Sequence, residues 1–316
     1  MAAAFPYTPQ TDGYKFNFYL GPNKFPVLKK LADSNGDSLN LERIIPLGWI
    51  FSTYVSRWVV IPLFTFLSKY IESFGLIILI LTLLVKLIIS PLTYKSYLST
   101  AKMRAVRPEL EAINAKYPRQ EDAMKKQQAT MELYNKAGIS PMSGCLPMLI
   151  QMPILIAMFR FFPASIELRG QSFLWSDDLS SYDSVLDLPF NIPFYGDHIS
   201  LFCLLMAVVL FGYSYMNYKQ TAATQPQMPG MKFMTVYMMP IMMLFWFNSY
   251  SSGLCYYYLL SNIITMLMML GIRAMVDDDK VRAAIHTKMT NTKGKKSRFQ
   301  QRYEELMRQQ EQLNKR

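Results

Sequence analysis

The sequence predicts an all-α polytopic membrane protein. Five transmembrane helices form its core, which carries a cytoplasmic helical hairpin and follows an interfacial amphipathic helix and a small β remnant at the N-terminus. Composition leads there first. Of 316 residues, 51% are hydrophobic and 17% charged, where a soluble domain carries about a quarter charged residues. The apolar residues are also gathered into long blocks, and mean hydropathy is +0.11. Finally, the basic residues fall between alternate blocks, as positively charged loops on one side of a bilayer do.

The elements follow in chain order. The first residues, MAAAFPYTPQTDGYKF, lack a basic stretch leading into an apolar run, so they are not a signal peptide. Weak alternation of Tyr14, Phe16, Phe18 and Leu20 before Gly21-Pro22 marks residues 14–45 as the last strands of an extracytoplasmic β-domain, and 1–46 as its remnant. Residues 47–73 contain Thr53, Ser56, Arg57, Thr65, Ser68, Lys69 and Glu72, mostly at three- and four-residue steps, with Pro62 among them. Such a stripe fits a helix lying in the membrane interface better than a span, although the charge rule leaves both open.

Runs of about 17 to 25 apolar residues cross a bilayer. Five occur within 74–273: Phe74–Tyr94, Gly144–Phe162, Ile199–Asn217, Phe233–Tyr250 and Gly253–Ile272. Lys and Arg number nine in 95–143, two in 218–232 and twelve from Arg273 onward, whereas 164–198 holds Arg169 and six acids. The basic segments are therefore cytoplasmic, 164–198 is an external loop, and the N-terminal region lies outside. An external N-terminus without a signal is expected of a chain that begins partway through a longer protein, or of one given MAAA as an added start.

Within 96–138, Met103, Val106, Leu110, Ile113 and Tyr117 share one helical face. Tyr117-Pro118 ends that face, and a more polar helix runs to Gly138, giving a charged hairpin that either projects into the cytoplasm or lies on anionic lipid. Residues 274–316 form a basic cytoplasmic tail. Its cluster Lys293, Lys295, Lys296 and Arg298 suits solvent, ribosomal RNA phosphates or anionic lipid.

Several function classes drop out. Cys145, Cys203 and Cys255 sit in separate apolar blocks without metal or disulfide spacing, and there are two histidines. GxxxxGK[ST], GxGxxG and HExxH do not occur. No metal, cofactor, covalent catalysis or specific DNA binding is expected, so the chain is not read as an enzyme.

Lys86 is the informative residue, because it lies mid-way along an apolar span. A lysine at the bilayer centre costs about 2.5 to 3.5 kcal/mol on insertion scales and faces a protein interior or a wet cavity. Thr82 lies one turn earlier on its face; Gln151, Tyr258 and Asn262 add polar groups to other spans. No span offers a central carboxylate, so Lys86 points to a hydrated cavity or to a ligand that brings negative charge. Methionine, at 23 residues, is the second departure. Met152, Met234, Met238 and Met242 suggest a pliable apolar slide beside that cavity.

These residues meet a family. Ser90-Pro91-Leu92-Thr93, Ala101-Lys102-Met103-Arg104, the run from Gly144 to Pro153, Glu167-Leu168-Arg169, Ser252-Gly253-Leu254, Tyr257-Tyr258 and Ser261-Asn262 stand in the order found in the YidC-type membrane protein insertases. Over residues 47–273 the chain resembles that family, and in particular a bacterial inner-membrane type truncated at its N-terminus. The resemblance implies five helices around a hydrophilic groove, open to cytoplasm and lipid and closed outside. It also implies a groove cation, usually arginine, that receives polar parts of nascent membrane proteins. Lys86 corresponds by position, with Thr82, Gln151, Tyr258 and Asn262 lining the groove. Lysine keeps the charge but lacks the planar fork of arginine. Expected partners are nascent substrates and the lipid bilayer, with the ribosome and a Sec translocon as candidates, and the unit acts as a monomer. A secondary transporter or channel using Lys86 as substrate or proton site is the alternative.

Overall fold

A computed structural model describes residues 19–32, 38–48, 50–118, 122–139, 146–222 and 230–291. The N-terminal stretch contains a short helix α1, Phe25–Leu28, and a 3-10 turn, Leu41–Ile44. The expected β remnant does not appear within 19–32 and 38–48, where strand-like pairing is limited to one bridge, Ala32 with Ser38. Pro22, Pro26 and Pro46 each lack the N–H a strand ladder requires. Residues 1–18 lie outside the described part.

Helices α2, Ile50–Val55, and α3, Ile61–Leu67, are joined by a π-helical segment, Ser56–Val60. The polar stripe does not form one outward face. Ser52 and Ser56 are buried with Val60, Phe64 and Leu67, while Phe51, Tyr54, Trp58 and Phe66 are exposed. Arg57 instead reaches back to Glu42 at 3.3 Å and lies over the Phe25 ring. The N-terminal segment satisfies the charge, which leaves an aromatic surface outward.

Helix α4, Phe74–Ala105, runs 32 residues without a break, about 48 Å at 1.5 Å per residue. It joins the first apolar run directly to the hairpin. Pro91 lies inside it and has no N–H for the Leu87 carbonyl; the Ser90 hydroxyl donates to that carbonyl at 2.8 Å, so the backbone stays satisfied. The hairpin comprises α5, Arg107–Lys116, and α6, Ala123–Ala137. Pro108 occupies the first turn of α5, and Gly138, with φ +65°, ends α6 in the left-handed cap that glycine adopts at least cost.

The remaining helices are α7, Leu146–Ala164; α8, Leu201–Ala222; α9, Met239–Phe247, entered through a π-helical stretch, Phe233–Met238; and α10, Ser252–Met275. Among the described residues three helices are long and apolar enough to cross a membrane: Phe74–Ala105, Leu201–Gln220 and Ser252–Met275. Gln151–Ala164 and Phe233–Phe247 are shorter apolar helices. Tyr257, Phe162, Phe202, Ile77, Ile78 and Leu254 are fully buried among α4, α7, α8 and α10.

Residues expected in the polar tail fold instead into helix α11, Asp278–Asn291. Ile285 is buried with Met103, Val106, Leu110, Leu133 and Tyr134, and Val281, one turn before it, packs on the same cluster. Four-residue spacing gives α11 one apolar edge, and the hairpin base supplies the surface that covers it.

The opposite end of the bundle is stitched by polar contacts. Strands β1, Leu186–Ile192, and β2, Gly196–Ile199, form a small antiparallel hairpin before α8. Buried Asn248 donates to the carbonyls of Tyr195 at 2.9 Å and His198 at 2.7 Å, and accepts from Ser200 N at 3.0 Å. Buried Asp183 accepts from Trp175 Nε1 and from Phe202 N in the first turn of α8. Ser251 and Ser252 donate to the carbonyls of Leu179 and Asp178. Gly253 lets that loop close on α10, since a Cβ there would meet the Leu179 carbonyl oxygen at 2.9 Å.

Candidate functional site

The polar side chains at mid-helix gather where α4, α7 and α10 meet. Lys86 on α4 is 8% exposed. Its Nζ donates to Gln151 Oε1 on α7 over 3.5 Å, the long limit of a hydrogen bond. Among the described residues no carboxylate lies within ion-pair reach of Lys86. Among the described residues the cation is thus held by one neutral acceptor, on a stretch of α4 where Val85 and Leu81 are buried as well.

Thr82 follows the expected face but points its chemistry elsewhere: its hydroxyl donates to the Ile78 carbonyl of its own helix at 2.6 Å and is fully buried. Tyr258 on α10 donates to the Leu155 carbonyl of α7 at 3.1 Å. Leu155 is one turn from Gln151, so the two cross-helix contacts lie about 6 Å apart along α7. Helix α7 therefore carries both halves of a polar layer, one facing α4 and one facing α10. Asn262, a turn further along α10, is half-buried. The aromatic surround is dense: Tyr258 meets the Phe247 ring edge-on at 5.7 Å and Tyr257 at 5.3 Å.

The methionines separate from this layer. Met152, Met234 and Met242 are exposed on the bundle surface, and Met238 is half-buried. Lys293, Lys295, Lys296 and Arg298 lie outside the described residues. Sequence reading passed over the loop network. Asn248, fully buried, ends an apolar run in a position that resembles an ordinary helix boundary, and its partners lie about 50 residues earlier in the chain. Asp183 sits in an acidic loop that reads as solvated. A polar residue immediately after an apolar span was the one local signal available. Among the described residues no group of His, Cys, Asp or Glu is arranged to hold a metal ion.

The fold and site thus define a class, a helical membrane protein whose bundle holds a buried cation, uncompensated among the described residues, in a polar layer shared by three helices. The family follows from comparison: residues 66–279 match the family model of the 60Kd inner membrane protein, and the chain belongs to that family of bacterial inner-membrane proteins. A protein of Parabacteroides distasonis named membrane protein insertase YidC is 52% identical over 311 residues, which cover 96% of this chain and 49% of that one. The proteins of that name from Bacteroides fragilis and Porphyromonas gingivalis are 47% and 46% identical, over 96% and 98% of this chain. The chain spans about half the length of the curated relatives it matches. A solved structure described as an active YidC insertase with its first transmembrane domain resolved aligns with TM-score 0.47 at 28% identity, covering 78% of this chain and 53% of that one.

Proposed function

We propose that this protein is a membrane protein insertase that receives polar segments of nascent membrane proteins in a hydrated groove and releases apolar segments sideways into the bilayer. The observation that carries the reading is Lys86, buried on α4 with its Nζ on the neutral Gln151 of α7 and no carboxylate of the described residues within ion-pair reach. A cation without a resident counter-charge is a poor structural element and a good attractor for an acidic residue passing through. The relatives' name supports the same reading.

The physics is that of shortening a dry path. Each unsatisfied backbone group costs several kcal/mol in hydrocarbon, so a polar segment crosses bare lipid slowly. Water around Lys86, Gln151, Tyr258 and Asn262 would replace part of that path, and the cation would attract acidic residues to it. An acidic segment then gains about 2.3 kcal/mol per charge for each 100 mV of an outside-positive potential. The apolar segment leaves by its own transfer to lipid, past Met152, Met234, Met238 and Met242, whose flexible thioethers adapt to varied partners. No covalent step is required.

In this reading α4, α7, α8, the Phe233–Phe247 helix and α10 are the five spans. The hairpin and tail face the cytoplasm, the 164–198 loop faces outward with its stitching closing the groove there, and 47–73 lies in the outer interface. The basic tail contacts the ribosome or anionic lipid, and one copy suffices. The test is protease protection of a short single-span reporter with an acidic outer tail, added to liposomes with and without purified protein. Protection that depends on the protein is the expected result. Equal protection in empty liposomes overturns the reading and brings forward a transporter or channel, which ion-flux measurements on the same vesicles would reveal.

A further inference from the structure

The loop between α7 and α8 carries an apolar feature that its other residues do not explain. In a loop holding six acids, the nine residues Leu188 to Gly196 contain no charge. They form the bulged end of the β-hairpin, where the register shifts between Asp187 and Ile192. Phe190 is 60% exposed and Phe194 96%. Pro193 and Phe194 are the central residues of a turn closed by Tyr195 N to Ile192 O at 3.0 Å. Phe194 has φ +67° there, at a position where such turns favour glycine or asparagine. The same loop repeats the pattern at Leu174, φ +54° and strongly exposed, in the turn between Phe173 and Ser176. Two large apolar side chains are thus held out from left-handed backbone where small polar residues fit with less strain.

The turn does not project freely. The Tyr195 carbonyl accepts from Asn248 Nδ2 at 2.9 Å, and the Tyr195 ring packs edge-on against Phe245 at 5.4 Å. Phe245 and the exposed Trp246 lie in the last turns of α9, where aromatic rings mark the membrane boundary. The turn is therefore pinned level with the end of an apolar helix, and the exposed Phe194 is the chain neighbour of Tyr195, which packs on a helix that also exposes Ile241, Met242 and Trp246. We propose that the hairpin tip, through Phe194 and Phe190, inserts into the interfacial region of the adjacent lipid leaflet and anchors the loop there. Its chemistry suits lipid: apolar rings at the tip, no charge between 188 and 196, and the exposed Asp187 and Asp197 flanking that stretch. The proposal rests on the membrane-embedded fold and not on insertion activity, so failure of the insertion assay leaves it standing.

The test places an environment-sensitive fluorophore on Phe194→Cys, on Phe190→Cys and, as the polar reference on the same hairpin, on Asp197→Cys. Cys145 is replaced by Ser, while Cys203 and Cys255, both fully buried, remain. In proteoliposomes containing lipids spin-labelled near the headgroup, labels at 194 and 190 are expected to emit at shorter wavelength and to be quenched severalfold more than the label at 197. Equal, water-like emission at all three positions overturns the proposal. So does a shielded label at 194 that the spin-labelled lipid fails to quench, which would assign the tip to contact with protein. Phe194→Gly keeps the turn geometry, and the 190 label in that background should lose part of its quenching.

Discussion

Replacing Lys86 with Met separates a structural from a functional role, because the two predict opposite signs for stability. Lysine within the bundle costs about 2.5 to 3.5 kcal/mol on insertion scales. The structure offers little in return: one hydrogen bond to Gln151 at 3.5 Å, and interhelical hydrogen bonds in bundles average about 0.6 kcal/mol. Methionine has nearly the same length and no charge. Lys86→Met should therefore stabilise the bundle by about 2 kcal/mol, a shift of roughly 30-fold in the unfolding equilibrium. The assay is reversible unfolding in mixed micelles followed by helix content, paired with the reporter-protection measurement. The expected outcome is a more stable protein that inserts acidic-tailed reporters poorly, with Lys86→Arg retaining insertion because it retains charge. A loss of about 1 kcal/mol or more, the order of one buried hydrogen bond, would show that Lys86 is a structural element and would refute the reasoning from missing counter-charge.

Other consequences follow from single contacts. Ser90→Ala strips the Leu87 carbonyl of the donor that stands in for the missing Pro91 N–H, and should cost about 1 kcal/mol in the same unfolding assay; the double change with Pro91→Ala should recover it. Asn248→Ala removes the side-chain partner of the buried His198 carbonyl and Ser200 N and leaves the Tyr195 carbonyl only the long 3.4 Å bond from the Ser249 hydroxyl, at a cost of about 3 kcal/mol. Proteolysis within 186–199 should accelerate well before the helices unfold. Ile285→Asp places a carboxylate in the cluster beneath α11. It should release that helix to limited proteolysis while the unfolding midpoint of the bundle stays put, since the two clusters are separate.

Much of the architecture is legible along the chain because the forces that set it are local. Apolar runs long enough for a bilayer announce α4, α8 and α10. A Pro-Gly punctuated hairpin follows from Pro108, Pro118 and Gly138. Lys86 stands out because a charge amid leucines and isoleucines needs only its neighbours to be conspicuous. Gln151 and Tyr258 stand out in the same way, as polar side chains within greasy helices.

What the residues along the chain leave open is who meets whom. Lys86 faces Gln151, 65 residues away, and Tyr258 bonds Leu155, 103 residues away. Those pairings depend on how the helices rotate about their axes, which periodicity alone leaves free in helices apolar nearly all round. The polar stripe of 47–73 turned partly inward because Glu42 was available to Arg57. A polar tail became a docked helix because the hairpin base left a gap that Val281 and Ile285 fill. Asn248 and Asp183 acquired their roles only when distant backbone closed around them. Composition and hydropathy, which sum over neighbours, determined that this chain lives in a membrane and where its helices run. Tertiary packing, which brings together groups far apart in sequence, decided which of the described polar atoms are satisfied and that Lys86 is buried with no carboxylate of the described residues beside it.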